Sequence, residues 1–84
     1  MIYSINFTKR SFKELEKVKP PYYVEIKEAI LDLAQNSRPI GSKKLKGRNG
    51  YRIRVGMYRI IYEIIDSKLI INIITIGHRK DIYK

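Results

Sequence analysis

The segment Tyr51-Arg52-Ile53-Arg54-Val55-Gly56-Met57-Tyr58-Arg59-Ile60-Ile61-Tyr62 decides the fold. Its first half alternates with period two: Tyr51, Ile53 and Val55 point one way, Arg52 and Arg54 the other. Gly56-Met57 has glycine first, as a type II′ hairpin turn requires. Tyr58 to Ile65 then resumes as a second strand rich in isoleucine and tyrosine. The turn sets the register. Val55 faces Tyr58, Ile53 faces Ile60, and Arg54 faces Arg59, with Arg52 on the same side as Arg54. Directly opposed like charges destabilise a sheet. Two arrangements are open: the guanidinium groups splay into water, or they surround an anion. Planar forked donors suit phosphate.

Basic residues extend upstream of the hairpin. Lys43 to Tyr62 holds Lys43, Lys44, Lys46, Arg48, Arg52, Arg54 and Arg59 and no acidic residue. Over the whole chain 18 Lys and Arg face 8 Asp and Glu, a net charge of +10. That excess points to nucleic acid, an acidic protein or an anionic membrane surface. The acids gather early: Glu14, Glu16, Glu25, Glu28 and Asp32 all precede residue 40. One face for a polyanion and another built from mixed-charge helices is the simplest arrangement.

The rest of the chain supplies the support. Ile2 to Phe7 predicts a short strand, and Thr8 is a candidate N-cap. Lys9 to Val18 predicts a helix with Phe12, Leu15 and Val18 on one stripe. Pro20-Pro21 stops it and opens the next, Tyr22 to Gln35, whose inward face is Tyr22, Ile26, Ala29, Ile30, Leu33 and Ala34. Tyr22 and Tyr23 are read as core packing rather than base stacking. Asn36 to Pro39 ends this helix, and Ile40 to Asn49 reads as a loop. After an Asp66-Ser67 turn, Leu69 to Ile76 is apolar in both directions, as expected of an interior strand. The order β-α-α-β-β-β predicts an α+β fold in which two helices pack on one face of a small, largely antiparallel sheet. The other face is expected to stay open, with Arg52, Arg54 and Arg59 looking out from it.

Composition excludes several chemistries. With 84 residues and 44% hydrophobic content, residues 1–84 are read as one small domain. The absence of cysteine removes disulfides, thiolate zinc sites and thiol nucleophiles. The single histidine cannot hold a metal alone. No metal and no cofactor are expected. No signal peptide is read in MIYSINFTKRS, and Leu69 to Ile76 is far short of the roughly 20 residues that span a bilayer. The expectation is a cytoplasmic protein.

Taken together, the basic strand YRIRV, the strand YRIIYEI and the terminal GHRKDIY closely resemble the RelE/ParE superfamily of bacterial and archaeal toxins, and the leading strand and helical pair fit the same pattern. RelE-like members are ribosome-dependent endoribonucleases that cut messenger RNA in the A site. ParE-like members share the fold but poison DNA gyrase. Both are restrained by an antitoxin encoded beside them. The resemblance therefore implies a metal-independent endoribonuclease that inhibits translation, with mRNA, the ribosome and a cognate antitoxin as partners, the antitoxin in a hetero-oligomer. A gyrase poison and a non-catalytic basic RNA-binding module are the alternatives.

Carried over by position, the RelE-like site falls on Arg52, Arg54, Arg59, Arg79 and Tyr83, with Lys43, Lys44, Lys46 and Arg48 contacting RNA phosphate. In the family reaction the ribose 2′-OH attacks the adjacent phosphate, leaving a cyclic phosphate and a free 5′-OH. The best-known RelE-like enzyme has lysines where this chain has Arg52 and Arg54. Arginine keeps its proton, so these two are clamps rather than bases. His78 and Tyr83 are then the candidates for the base, Tyr83 being better suited to stacking on a nucleobase or orienting the 2′-OH.

Overall fold

The computed structural model describes residues 2–47 and 49–78. Strand β1 spans Ser4–Phe7, helix α1 Lys9–Glu16, helix α2 Tyr22–Asp32, and strands β2 to β5 Lys43–Lys44, Gly50–Val55, Tyr58–Ile65 and Ile70–His78. One five-stranded sheet has the order β1-β5-β4-β3-β2. Only β1 runs parallel to its neighbour, with Ser4 beside Ile70 and Phe7 beside Ile73. The other pairings are antiparallel. This is the expected α+β architecture with one strand more, since Lys43 and Lys44 pair with Arg52 and Tyr51.

Both helices end earlier than periodicity predicts, and for one reason. Past Glu16 the amides of Lys17 and Val18 reach back three residues rather than four, to Glu14 and Leu15. Past Asp32, the amides of Leu33, Ala34 and Gln35 do the same to Ile30, Leu31 and Asp32. The apolar spacing survives in such tightened turns although the α-helix has stopped. Thr8 caps α1 as expected: its hydroxyl oxygen accepts the Ser11 amide at 3.0 Å.

The hairpin adopts the predicted register, with Val55 opposite Tyr58, Ile53 opposite Ile60 and Arg54 opposite Arg59. Gly56 takes φ +57°, the left-handed conformation that the first turn position demands. Alternation, reset once by an irregularity at Ile61/Tyr62 that skips Ile74, divides the sheet into two faces. Ile53, Ile60, Tyr62, Ile71, Ile73 and Ile76 meet Leu15, Ile26 and Ile30 of the helices, and Val18 and Leu33 just past their ends, in a single core. Burying side chains of this size stabilises the fold by about 1.5–3 kcal/mol each.

Strand β5 continues two residues past Ile76, because His78 and Gly77 pair with Tyr58 and Arg59. Its free edge beyond β1 is covered by a side chain. The Glu14 carboxylate accepts the Ile76 amide at 3.0 Å and the Thr75 hydroxyl at 2.9 Å. At the other end of the sheet Arg38 joins the loop after α2 to Asp66 at 3.0 Å and donates to the Tyr51 hydroxyl at 3.0 Å. No helix among the described residues is long and apolar enough to cross a membrane.

Candidate functional site

The face of the sheet turned away from the helices carries the basic residues. In one cross-strand row Lys43 stands beside Arg52 and Arg52 beside Ile61. In the next, Arg54 stands beside Arg59 and Arg59 beside Gly77. The β-hairpin therefore brings Arg52, Arg54 and Arg59 together, and the short strand β2 adds Lys43 to them.

The expectation of three arginines open to water is corrected. Arg54 is exposed, but Arg52 and Arg59 each retain only 7% of their accessible surface. The two covered arginines have a strand on either side, β2 and β4 beside Arg52 and β3 and β5 beside Arg59, whereas β2 stops short of Arg54. The Arg52 NH1 is shut off from water and has no hydrogen-bond partner among the described residues. Burial first, and the charge of Arg54 second, hold the Arg52 pKa below the ordinary guanidinium value. A withdrawn cationic donor beside a second cation is costly by itself and favours an arriving anion.

The remaining predicted residues separate. Lys44 pairs with Tyr51 and so lies on the face opposite to Lys43. Lys46 is exposed in the turn after β2. Arg48, Arg79 and Tyr83 lie outside the described residues. His78 pairs with Tyr58, one position from the Arg59–Gly77 pair, which places it on the helix side of the sheet. Its ring meets Tyr58 edge-on at 5.5 Å between centroids. The sheet thus stands between His78 and the arginines, and the constellation inferred from adjacency in sequence is split in two.

On that helix side, His78, Tyr58, Gly77 and Ile76 form the floor of a hollow of about 300 Å³ whose wall is Glu14, Lys17 and Val18 of the first helix and its end. Tyr22 lies 5.6 Å from Tyr58, ring to ring. The inward position predicted for Tyr22 is also corrected: it is 39% exposed, whereas Tyr23 packs against the core. Tyr22 opens α2 at the edge of the helix pair, where the hairpin turn rather than the core is its neighbour. A methyl group on Gly56 would come within 3.0 Å of its ring. The sequence signal for this cluster was the single residue between Met57 and Arg59, legible only once the register is known. A larger hollow of about 470 Å³ lies between α2, the 39–41 loop and the β3 edge, and both Arg54 and Asp32 lie on its lining.

Known proteins share this fold. A family model described as the ParE toxin of type II toxin-antitoxin system, parDE, matches residues 5–83. Toxin RelE3 of Methanocaldococcus jannaschii is 39% identical over 92% of this chain and 91% of its own length. The mRNA interferase toxin RelE of Escherichia coli is 29% identical over 95% of this chain and 86% of its own. The solved structure of the archaeal RelE-RelB complex from Pyrococcus horikoshii superimposes with a TM-score of 0.84 at 27% identity, covering 94% of this chain and 97% of that one. The chain belongs to the RelE/ParE superfamily of toxins of type II toxin-antitoxin systems.

Proposed function

We propose that this protein is the toxin of a toxin-antitoxin pair and a ribosome-dependent endoribonuclease that cuts messenger RNA, acting in the cytoplasm. The observation that carries this reading is the row Arg54–Arg59 with Arg52 beside it, three cations on one face of the hairpin, two of them partly withdrawn from water. A phosphodiester attacked by its neighbouring 2′-OH gathers negative charge on its non-bridging oxygens. Fixed guanidinium groups stabilise that charge more than the ground state, and this is what a catalyst must do. Exposed Arg54 meets the phosphate. Arg59 and Arg52, covered beside it, add positive charge from behind.

Proton transfer is the other requirement. Arg79 and Tyr83 are assigned to the site by resemblance, Tyr83 as the remaining candidate to take the 2′-OH proton and Arg79 as a further positive charge for the phosphate, with the departing 5′-oxygen taking its proton from water. His78 is across the sheet and takes no part in the proton transfer. The ribosome supplies in-line geometry, and positioning of that kind accounts for a large part of a barrier. Lys43 extends the basic row along the RNA. The relatives' complexes with RelB support an antitoxin as this chain's partner, an acidic segment of which would neutralise the same row.

Primer extension on translated messages tests the reading. Cuts are expected only with ribosomes present, and Arg59→Ala and Arg54→Ala should each suppress them. The matching ParE model favours one second reading, a gyrase poison. Gyrase–DNA cleavage complexes together with intact messages would select it.

A further inference from the structure

We propose that Tyr22, Tyr58 and His78 form a stacking subsite for an unpaired nucleobase of the RNA, with Lys17 holding the adjoining phosphate. The subsite rests on the reading of the protein as an RNA-cleaving toxin, but it lies on the opposite side of the sheet from the arginine row.

The three rings touch in a row: Tyr22 is tilted 50° against Tyr58 at 5.6 Å, and Tyr58 meets His78 edge-on at 5.5 Å, so the outer ring, Tyr22, is the one that offers a face. The rings occupy the end of the sheet at the hairpin turn. Tyr22 is exposed, Tyr58 and His78 are half-buried, and the hollow beside them is about 300 Å³, large enough for a base. Tyr58 packs one side against the core and, with His78, lines the hollow; Tyr22 contacts Tyr58 from outside it and is 39% exposed. Lys17 lines that cavity together with Glu14, whose carboxylate is engaged by the Thr75 hydroxyl and the Ile76 amide, and exposed Lys13 and Lys19 flank Lys17 in sequence. Base planes on aromatic rings with cations along the backbone are how proteins hold single-stranded nucleic acid.

Two features connect the subsite to the arginine row. Tyr58 and Arg59 are consecutive on β4 and so project to opposite faces at the same end of the sheet. Gly77 lines the hollow and is also the cross-strand partner of Arg59. With no side chain there, the sheet is thinnest between the two. An RNA strand gripped at Arg54 and Arg59 passes the sheet end and places a flanking base on the rings. The rings therefore read a base beside the cut, not the phosphate that reacts.

The test uses the full-length protein and a short single-stranded RNA containing 2-aminopurine, whose fluorescence falls on stacking. Wild type is expected to quench it. Tyr22→Phe should keep the quench; Tyr22→Ala should abolish it and weaken binding about tenfold; Lys17→Ala should weaken binding while keeping the quench. A Tyr22→Ala protein with native circular dichroism that quenches like wild type overturns the proposal, as does a wild type that binds RNA with no quench. Loss of the quench in Tyr22→Phe also overturns it, since the ring rather than the hydroxyl is the contact. The two readings fail separately. Tyr22-dependent quenching by a protein that leaves translated messages intact supports the subsite and removes the interferase. Ribosome-dependent cutting with a Tyr22-independent quench removes the subsite alone.

Discussion

Arg54 stands directly across the β3–β4 ladder from Arg59, and of the two only Arg54 reaches water. A pair of like charges in register opposes folding by some tenths of a kcal/mol. The sheet keeps them together although alternation offers no structural reason for cations at both positions. Function and stability therefore pull apart here. Arg54→Ala should raise the urea midpoint by an amount equal to about 0.5 kcal/mol, while reducing mRNA cutting at least about tenfold. Loss of stability on this substitution, measured by urea unfolding, would mean that Arg54 serves the fold.

The placement of His78 gives a second expectation. An imidazole on the helix side of the sheet cannot take a proton from a 2′-OH held on the other side. His78→Asn should leave the rate of cutting at saturating RNA within about threefold of wild type, a change too small for loss of a general base, which contributes about a hundredfold or more. The pH profile of cleavage should be the same for both proteins. A drop of two orders of magnitude, or a shift of the profile, would return His78 to the chemistry.

The hairpin was legible because its signals agree: strict alternation, a glycine-first turn and β-branched residues on one side. They fix the register, and the register alone brings the arginines into one row. Burial was not legible. Nothing local announces that Arg52 and Arg59 are covered while Arg54 is exposed, since that depends on neighbouring strands, one of which, Lys43–Lys44, is too short and too polar to be read as a strand. Leu69 was misread for a similar reason. Its apolar character suits β5, but it closes the 3-10 turn Asp66–Lys68 in a left-handed conformation with φ 53°. Phe12 fits the stripe of α1 yet is 53% exposed, packing edge-on against Phe7 at the rim. His78 seemed close to the arginines because sequence distance ignores the two faces of a strand.

Glu14 does work at the edge of the sheet that no helical pattern reveals. It terminates the free side of β5 by accepting the Ile76 amide and the Thr75 hydroxyl. Without it, a strand edge is left unpaired beside a partly exposed apolar surface, a template for association. Glu14→Ala should destabilise the protein by about 1–3 kcal/mol, the value of hydrogen bonds to a charged acceptor, and increase aggregation on heating. Glu14→Gln, which can still accept, should lie between the two. Thermal melts with light scattering decide this, and a Glu14→Ala melt identical to wild type would remove the edge role.

Tyr62 provides the last test, and its sign can be worked out. Its ring is fully buried, and its hydroxyl donates to the Ser37 carbonyl at 2.8 Å. Burial pushes its pKa up to about 12, against 10.0 for a free phenol. Below pH 10 the hydroxyl is protonated in both folded and unfolded chains, and the stabilising contribution is complete. As pH rises from about 10 to about 12 the unfolded chain ionises first, so stability drains away, by about 2–3 kcal/mol in all at about 1.4 kcal/mol per pH unit. Tyr62→Phe cannot ionise. At pH 8 it should be weaker than wild type by about 1 kcal/mol, from the lost hydrogen bond. Urea midpoints measured from pH 8 to 12 should therefore converge and then cross, with the phenylalanine variant the more stable at the alkaline end. Parallel curves would show that the phenol ionises as easily folded as unfolded, and that Tyr62 is not sealed beneath the helices.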